Sequence, residues 1–135
     1  MVTIIPLLYA QSTTWVSSTW SRATYLEGVN YNLQYAVNDD SGWTSTTVDS
    51  DGLTGLYTSL AFDAGGRPAI SYYDFINDTL KYACYDGSEW IALTVDSTAR
   101  VGIYTSLAFA PNGHPAISYF DITNSALKFA IRGVK

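Results

Sequence analysis

The six residues YTSLAF run from Tyr57 to Phe62 and return from Tyr104 to Phe109, 47 positions later. Laid over one another, residues 57–87 and 104–134 agree at 17 of 31 positions without a gap. A chain that repeats at such a period builds one supersecondary unit several times and buries each unit against the next. An older copy lies upstream in the same phase. Leu33-Gln34-Tyr35-Ala36 stands where Leu80-Lys81-Tyr82-Ala83 and Leu127-Lys128-Phe129-Ala130 stand, and Trp43 matches Trp90. Further upstream, Thr24, Tyr25 and Glu27 fall at the places of Ser71, Tyr72 and Asp74. The chain therefore holds three copies, the first strongly diverged.

Each copy reads as β structure. No window recurs at the helical i, i+3, i+4, i+7 spacing, whereas eleven Tyr and four Trp suit side chains standing on a pleated surface. In the second copy, strand-like runs Tyr57 to Asp63, Pro68 to Asp74, Leu80 to Tyr85 and Trp90 to Val95 are separated by turn signals. Among these signals, the Asp86-Gly87 pair favours a tight hairpin. Four antiparallel strands in a repeat of this length predict the blade of an all-β propeller.

The expected layout is one domain. An N-terminal strand lies within residues 1–10, a degenerate first blade over 11–52, a second over 53–99, and a third over 100–135 that lacks its last strand. Propellers close with about four to eight blades, so three predict a six-bladed ring completed by a homodimer. The stretch Val2 to Leu8, VTIIPLL, is strand-like and tolerates Pro6 only on an edge. It is expected to supply the missing strand across the junction between two copies.

Charge narrows the partners. A net charge of −5 argues against nucleic acid, because that binding depends on Lys and Arg neutralising phosphates. There is no apolar run long enough to predict a membrane-spanning helix. The opening MVTIIPLLYAQS lacks the basic leading region of a full signal peptide, and the composition leans towards a secreted protein. The single cysteine, Cys84, cannot pair within the chain and sits where Ile131 stands in the third copy, so it reads as a small buried hydrophobe. His114, the one histidine, lies in the turn Pro111-Asn112-Gly113-His114 with no nucleophile placed beside it by the repeat.

The alternation of strand direction collects acids on one face: Glu27, Asp74 and Asp121 with Asp49 and Asp96, joined by the loop residues Asp51 and Asp78. Such a face attracts cations or hydrogen-bond donors. An Asp just after a strand also caps turns, and recurrence in every copy is what a structural cap requires. Paired carboxylates hydrolyse glycosides when their environments differ, and here the acids recur in equivalent surroundings. The chain thus reads as a non-enzymatic binding module without cofactor or metal, with a glycan ligand between blades. A protein scaffold is the alternative, and a glycoside hydrolase the third reading. The residues proposed for ligand contact are Tyr72, Tyr73, Asp74, Tyr119, Asp121, Tyr25, Glu27, Trp43 and Trp90, aromatic or acidic groups on second strands and hairpins.

The hairpin Cys84-Tyr85-Asp86-Gly87-Ser88-Glu89-Trp90 resembles the blade motif of the fucose-binding propeller lectins, Cys, Trp, Asp, Gly, a variable residue, Gly, Trp. In that family chains of two blades assemble into six-bladed rings and sugars sit between adjacent blades, which implies closure by oligomerisation and a lectin-like role here. The family's sugar-binding Arg falls at Ser71 and its Glu at Tyr82, so fucose specificity is not implied. The segments Asn38 to Trp43 and Asp86 to Trp90 also resemble the Asp-box turns of sialidase-type propellers, without the box's final Thr-Trp order or an arginine cluster.

Overall fold

The computed structural model describes residues 21–26, 31–39 and 41–133, with the backbone alone at 21, 22, 25 and 26. The expected strand Val2 to Leu8, together with Trp15, Trp20 and Glu27, lies outside the described residues. Every regular element among them is a strand, as the composition predicts. β1 (Ser21–Leu26), β2 (Leu33–Asp39) and β3 (Gly42–Asp49) form a first antiparallel sheet. β4 (Thr54–Phe62), β5 (Pro68–Asp74), β6 (Thr79–Tyr85) and β7 (Trp90–Asp96) form a four-stranded second sheet. β8 (Val101–Phe109), β9 (Pro115–Asp121) and β10 (Ala126–Ile131) form the third. Strands within each sheet follow chain order.

The middle sheet is covered on both faces, and its side-chain alternation shows how. Along β5 and β6, Ile70, Tyr72 and Ala83 join Leu33 and Val48 in a core against the first sheet. Ala69, Leu80 and Tyr82 point the other way, into a core with Val101, Leu107, Ile117 and Tyr119 of the third sheet. Cys84, expected to be buried, is half-buried and packs against the edge of this second core. Two cores of the same design therefore join three sheets in sequence.

The repeated YTSLAF has a structural task at these joints. In β4 and β8 the ladder slips around Leu56 and Ile103. At these bulges Tyr57 and Tyr104 adopt left-handed φ values of 52° and 53°. Such bulges redirect backbone groups out of the ladder, and the next sheet uses them. The Thr105 hydroxyl donates to the Tyr57 carbonyl at 3.0 Å, and the Leu107 N–H donates to Ser59 Oγ at 3.0 Å. With its one hydrogen committed to Tyr57, Thr105 accepts from Ser71 Oγ at 2.7 Å. One joint earlier, Thr24 donates to Thr58 at 3.1 Å.

Two glycines let neighbouring sheets approach closely. Gly55 and Gly102 have φ of 96° and 110°. A Cβ on Gly55 would stand 3.0 Å from Leu33 Cα, and one on Gly102 only 2.8 Å from Leu80 Cα. This also explains why the first strand of the repeat begins at Thr54, three residues before the sequence reading placed it: a glycine read as connection is a bulge inside the strand. Gly102→Ala combines a strained φ with a backbone clash, so it is expected to destabilise the protein by about 3 kcal/mol. A lowered midpoint in chemical denaturation would show it, and an unchanged midpoint would rule out the close approach.

Candidate functional site

The acidic face resolves into pairings. Asp49, at the end of β3, accepts hydrogen bonds from the Tyr72 hydroxyl at 2.6 Å and from Lys81 Nζ, both on the second sheet. Asp96, at the end of β7, accepts from Tyr119 at 2.7 Å and from Lys128, both on the third. Each joint is thus clamped by one carboxylate reaching a tyrosine and a lysine of the following sheet. Burial pushes the Asp49 carboxyl up, but Lys81, Tyr72 and the Asp51 N–H outweigh it and hold it below the usual carboxylate range. Burial likewise pushes the Asp96 carboxyl up, but Lys128, Thr98 and Tyr119 outweigh it, and it ends well below that range. At the equivalent place on the first sheet the lysine is replaced by Gln34, which donates to Thr47 of its own sheet at 2.9 Å.

Asp74 and Asp121 hold turns. Asp74 accepts from the N–H groups of Ile76 and Asn77 and from the Asn77 side chain, and Asp121 accepts from Asn124 in the same way. Tyr73 donates to Asp78, which also pairs with Arg100 at 3.2 Å. Tyr72, Tyr73, Asp74, Tyr119 and Asp121 are all buried. These five expected ligand residues therefore face the interior with their polar atoms engaged, and the site assembled below does not draw on them. Tyr25 lies in β1 opposite Gln34. His114 forms its turn, where its N–H donates to Asn112 and its carbonyl accepts from Ala110. No group of three metal-ligating side chains occurs among the described residues.

Of the expected residues, Trp90 lines a cleft, and Trp43 is exposed on the first sheet. The cleft, ≈ 590 Å³, opens between the first and second sheets. Its aromatic wall is Tyr35 from β2 with Tyr85 and Trp90 from the β6–β7 hairpin. Tyr35 meets Trp90 edge to face with ring centres 5.2 Å apart, and Tyr85 is tilted against it at 5.8 Å. The polar lining includes Thr46, Thr47 and the exposed Glu89. Asp86 positions this hairpin by accepting from the N–H groups of Ser88 and Glu89 at 2.7 and 2.9 Å. Trp90 was visible in the sequence as the partner of Trp43. Tyr35 and Tyr85 were not among the residues expected to contact ligand; for Tyr85 the available signal was a break in the repeat, since it corresponds to Asn38 and Arg132, while Tyr35 recurs as Tyr82 and Phe129 and gave none.

No protein family matches the sequence, and no curated protein does. Among solved structures, the chain is similar to a fucose lectin from Kordia zhangzhouensis in complex with methyl-fucoside, with a TM-score of 0.56 and 14% identity. The match covers 86% of this chain and 91% of the lectin. At that identity the likeness is one of fold: the ten strands of the described residues, in three antiparallel sheets, match a lectin β-fold.

The clamps give stability a defined pH dependence. Asp49 and Asp96 have depressed values in the folded state, so their contribution is complete above the ordinary carboxylate value of about 4 and is lost as pH falls through the lower folded values. Denaturant midpoints are expected to hold from pH 7 to about 5 and fall steeply below about 4. Lys81→Met leaves a buried, unpaired Asp49 and is expected to cost ~3 kcal/mol at pH 7. The double variant with Asp49→Asn should recover most of that loss, and equal losses in both variants would contradict the clamp.

Proposed function

We propose that this chain is a non-enzymatic, lectin-like propeller subunit that binds glycans in clefts between its sheets. Each sheet is then a blade, with the divisions 11–52, 53–99 and 100–135. Two copies make a six-bladed ring in which Val2 to Leu8 of one copy completes the third blade of the other. The observation that carries the binding reading is the cleft wall of Tyr35, Tyr85 and Trp90 beside Thr47 and Glu89. Aromatic faces take the apolar face of a pyranose, while hydroxyl and carboxylate groups receive its hydroxyls. The cleft lining contains a carboxylate and no Lys or Arg, which favours neutral or amine-bearing sugars over uronic and sialic acids. The lectin of similar fold supports the same class of ligand. Repeated clefts on one ring would add avidity to weak single contacts.

One contrast supports the ring. Leu127, Phe129 and Ile131 lie on one face of β10 and are exposed. Their counterparts Leu80 and Tyr82 are buried by the next sheet, and Cys84 packs against the same core. The contrast is sharpest at Leu127, 79% exposed against 0% for Leu80.

A glycan array of neutral, amino and acidic sugars tests the function. Binding is expected for neutral or amino sugars, competed by the free sugar. Trp90→Ala is expected to weaken it about tenfold or more, the loss of about 1.4 kcal/mol typical of an aromatic anchor. An array without signal, or binding indifferent to Trp90, would overturn the reading.

A further inference from the structure

Asn77, Asn112 and Asn124 stand in turns of the second and third sheets, and two of the three are chemically restrained. The side-chain amide nitrogens of Asn77 and Asn124 donate to Asp74 and Asp121 at 2.8 and 2.9 Å. Each is followed by a residue that carries a side chain, Asp78 and Ser125. Asn112 differs on both counts. Its Nδ2 has no hydrogen bond among the described residues, and the next residue is Gly113. Both lie exposed in the turn between β8 and β9.

The bonds of this turn favour an internal reaction. Asn112 Oδ1 accepts from the His114 N–H at 3.2 Å, the pattern in which an Asn folds back on its own backbone two residues on. A hydrogen bond donated to a carbonyl oxygen stabilises the negative charge that gathers there when the carbon is attacked. The atom placed to attack is the Gly113 nitrogen, which closes a succinimide ring with the Asn112 side chain. Gly113 has φ of 81°, and a Cβ built there would meet nothing within 4 Å. The nitrogen therefore has neither a side chain of its own nor a neighbour in the way.

We infer that Asn112 is a site of self-modification, at which the folded chain converts slowly from an amide to a carboxylate form. First, the Gly113 nitrogen bonds to Asn112 Cγ and the Cγ–Nδ2 bond breaks. The Gly113 proton leaves with Nδ2 as ammonia. Water then opens the succinimide, giving aspartate when the Gly113 nitrogen leaves Cγ and isoaspartate when it leaves the main-chain carbonyl carbon. The Gly113 N–H donates to the Ala110 carbonyl at 2.8 Å, so the reaction waits on fraying of that exposed bond and is slow.

The two products act differently on the turn. In the second copy a carboxylate already holds the equivalent turn. Asp63, at the place of Ala110, accepts from the N–H groups of Gly65 and Arg67, both at 2.9 Å, and Arg67 stands where His114 stands. Aspartate at position 112 keeps the bond from the His114 N–H and makes it charge-assisted. Isoaspartate inserts a methylene into the main chain. Ala110 and His114 then leave the register in which the Ala110 N–H meets the His114 carbonyl at 2.9 Å. Either product makes the chain more acidic than its net charge of −5.

Peptide mapping of the full folded chain, aged in warm, mildly alkaline buffer, tests this. Trypsin releases residues 101–128 as one peptide carrying both Asn112 and Asn124. Its fragments are expected to show the amide-to-acid mass gain at Asn112 and none at Asn124. Isoaspartyl methyltransferase is expected to methylate the aged chain and not the fresh one. Gly113→Ala puts a Cβ beside the attacking nitrogen and is expected to slow conversion about tenfold, or about 1.4 kcal/mol on the barrier. Ala110→Asp restores the carboxylate of the second copy, takes the His114 N–H away from Asn112, and is expected to slow conversion as well. Asn112 intact in the folded chain but converted in urea would overturn the inference, because the turn would then protect the bond. Conversion unaffected by Gly113→Ala would overturn the succinimide route, and conversion unaffected by Ala110→Asp the role of the His114 N–H.

Discussion

The structure depends on how one sheet takes hold of the next. Thr105 of the third sheet bonds the Tyr57 carbonyl of the second, a backbone group at the bulge in β4, and the Leu107 N–H bonds the Ser59 hydroxyl two residues on. Without that bulge the Tyr57 carbonyl would be spent within the sheet. The left-handed tyrosines cost of order 1–3 kcal/mol each, and the inter-sheet hydrogen bonds offset it by leaving fewer buried polar groups unpaired. Gly102 then lets the backbones close to a distance no side chain permits. Hydroxyl staple, glycine contact and carboxylate clamp act at the same joint and explain why YTSLAF, the preceding glycine and the terminal Asp recur together.

Much of the fold was legible because its causes are periodic. The 47-residue spacing placed β5, β6 and β7 with few errors, since each is bounded by Gly, Asp or Pro turn chemistry. The start of β4 was not legible, because a glycine at positive φ inside a strand is indistinguishable in sequence from one in a connection. The same limit affected the site. Tyr72 and Tyr119 resemble ligand groups by type, yet each is 23 residues beyond the Asp it bonds in the previous sheet. That equal spacing, with Lys81 and Lys128 each 32 residues beyond the same Asp, was a readable sign of a joint. Burial, which decides between joint and site, has no signature in residue type alone.

The proposed ligand contacts fall where the repeat is broken or its surface left open. Tyr85 and Glu89 belong to one hairpin and have no like counterparts in the other copies, so the cleft they line is particular to one joint. Recurrent residues build the scaffold and, in Tyr35 and Trp90, part of the cleft wall, while the exceptions to recurrence, Tyr85 and Glu89, give that cleft its own chemical character. Three sheets with two finished joints still leave the apolar row of β10 in water, an arrangement that association relieves.

The mass of the purified protein in solution, measured by light scattering across a range of concentrations, addresses this account most directly. Twice the chain mass of 14.8 kDa, held on dilution to the micromolar range, is the result it predicts. A particle of a single chain at every concentration, stably folded with its third sheet uncovered, would contradict it.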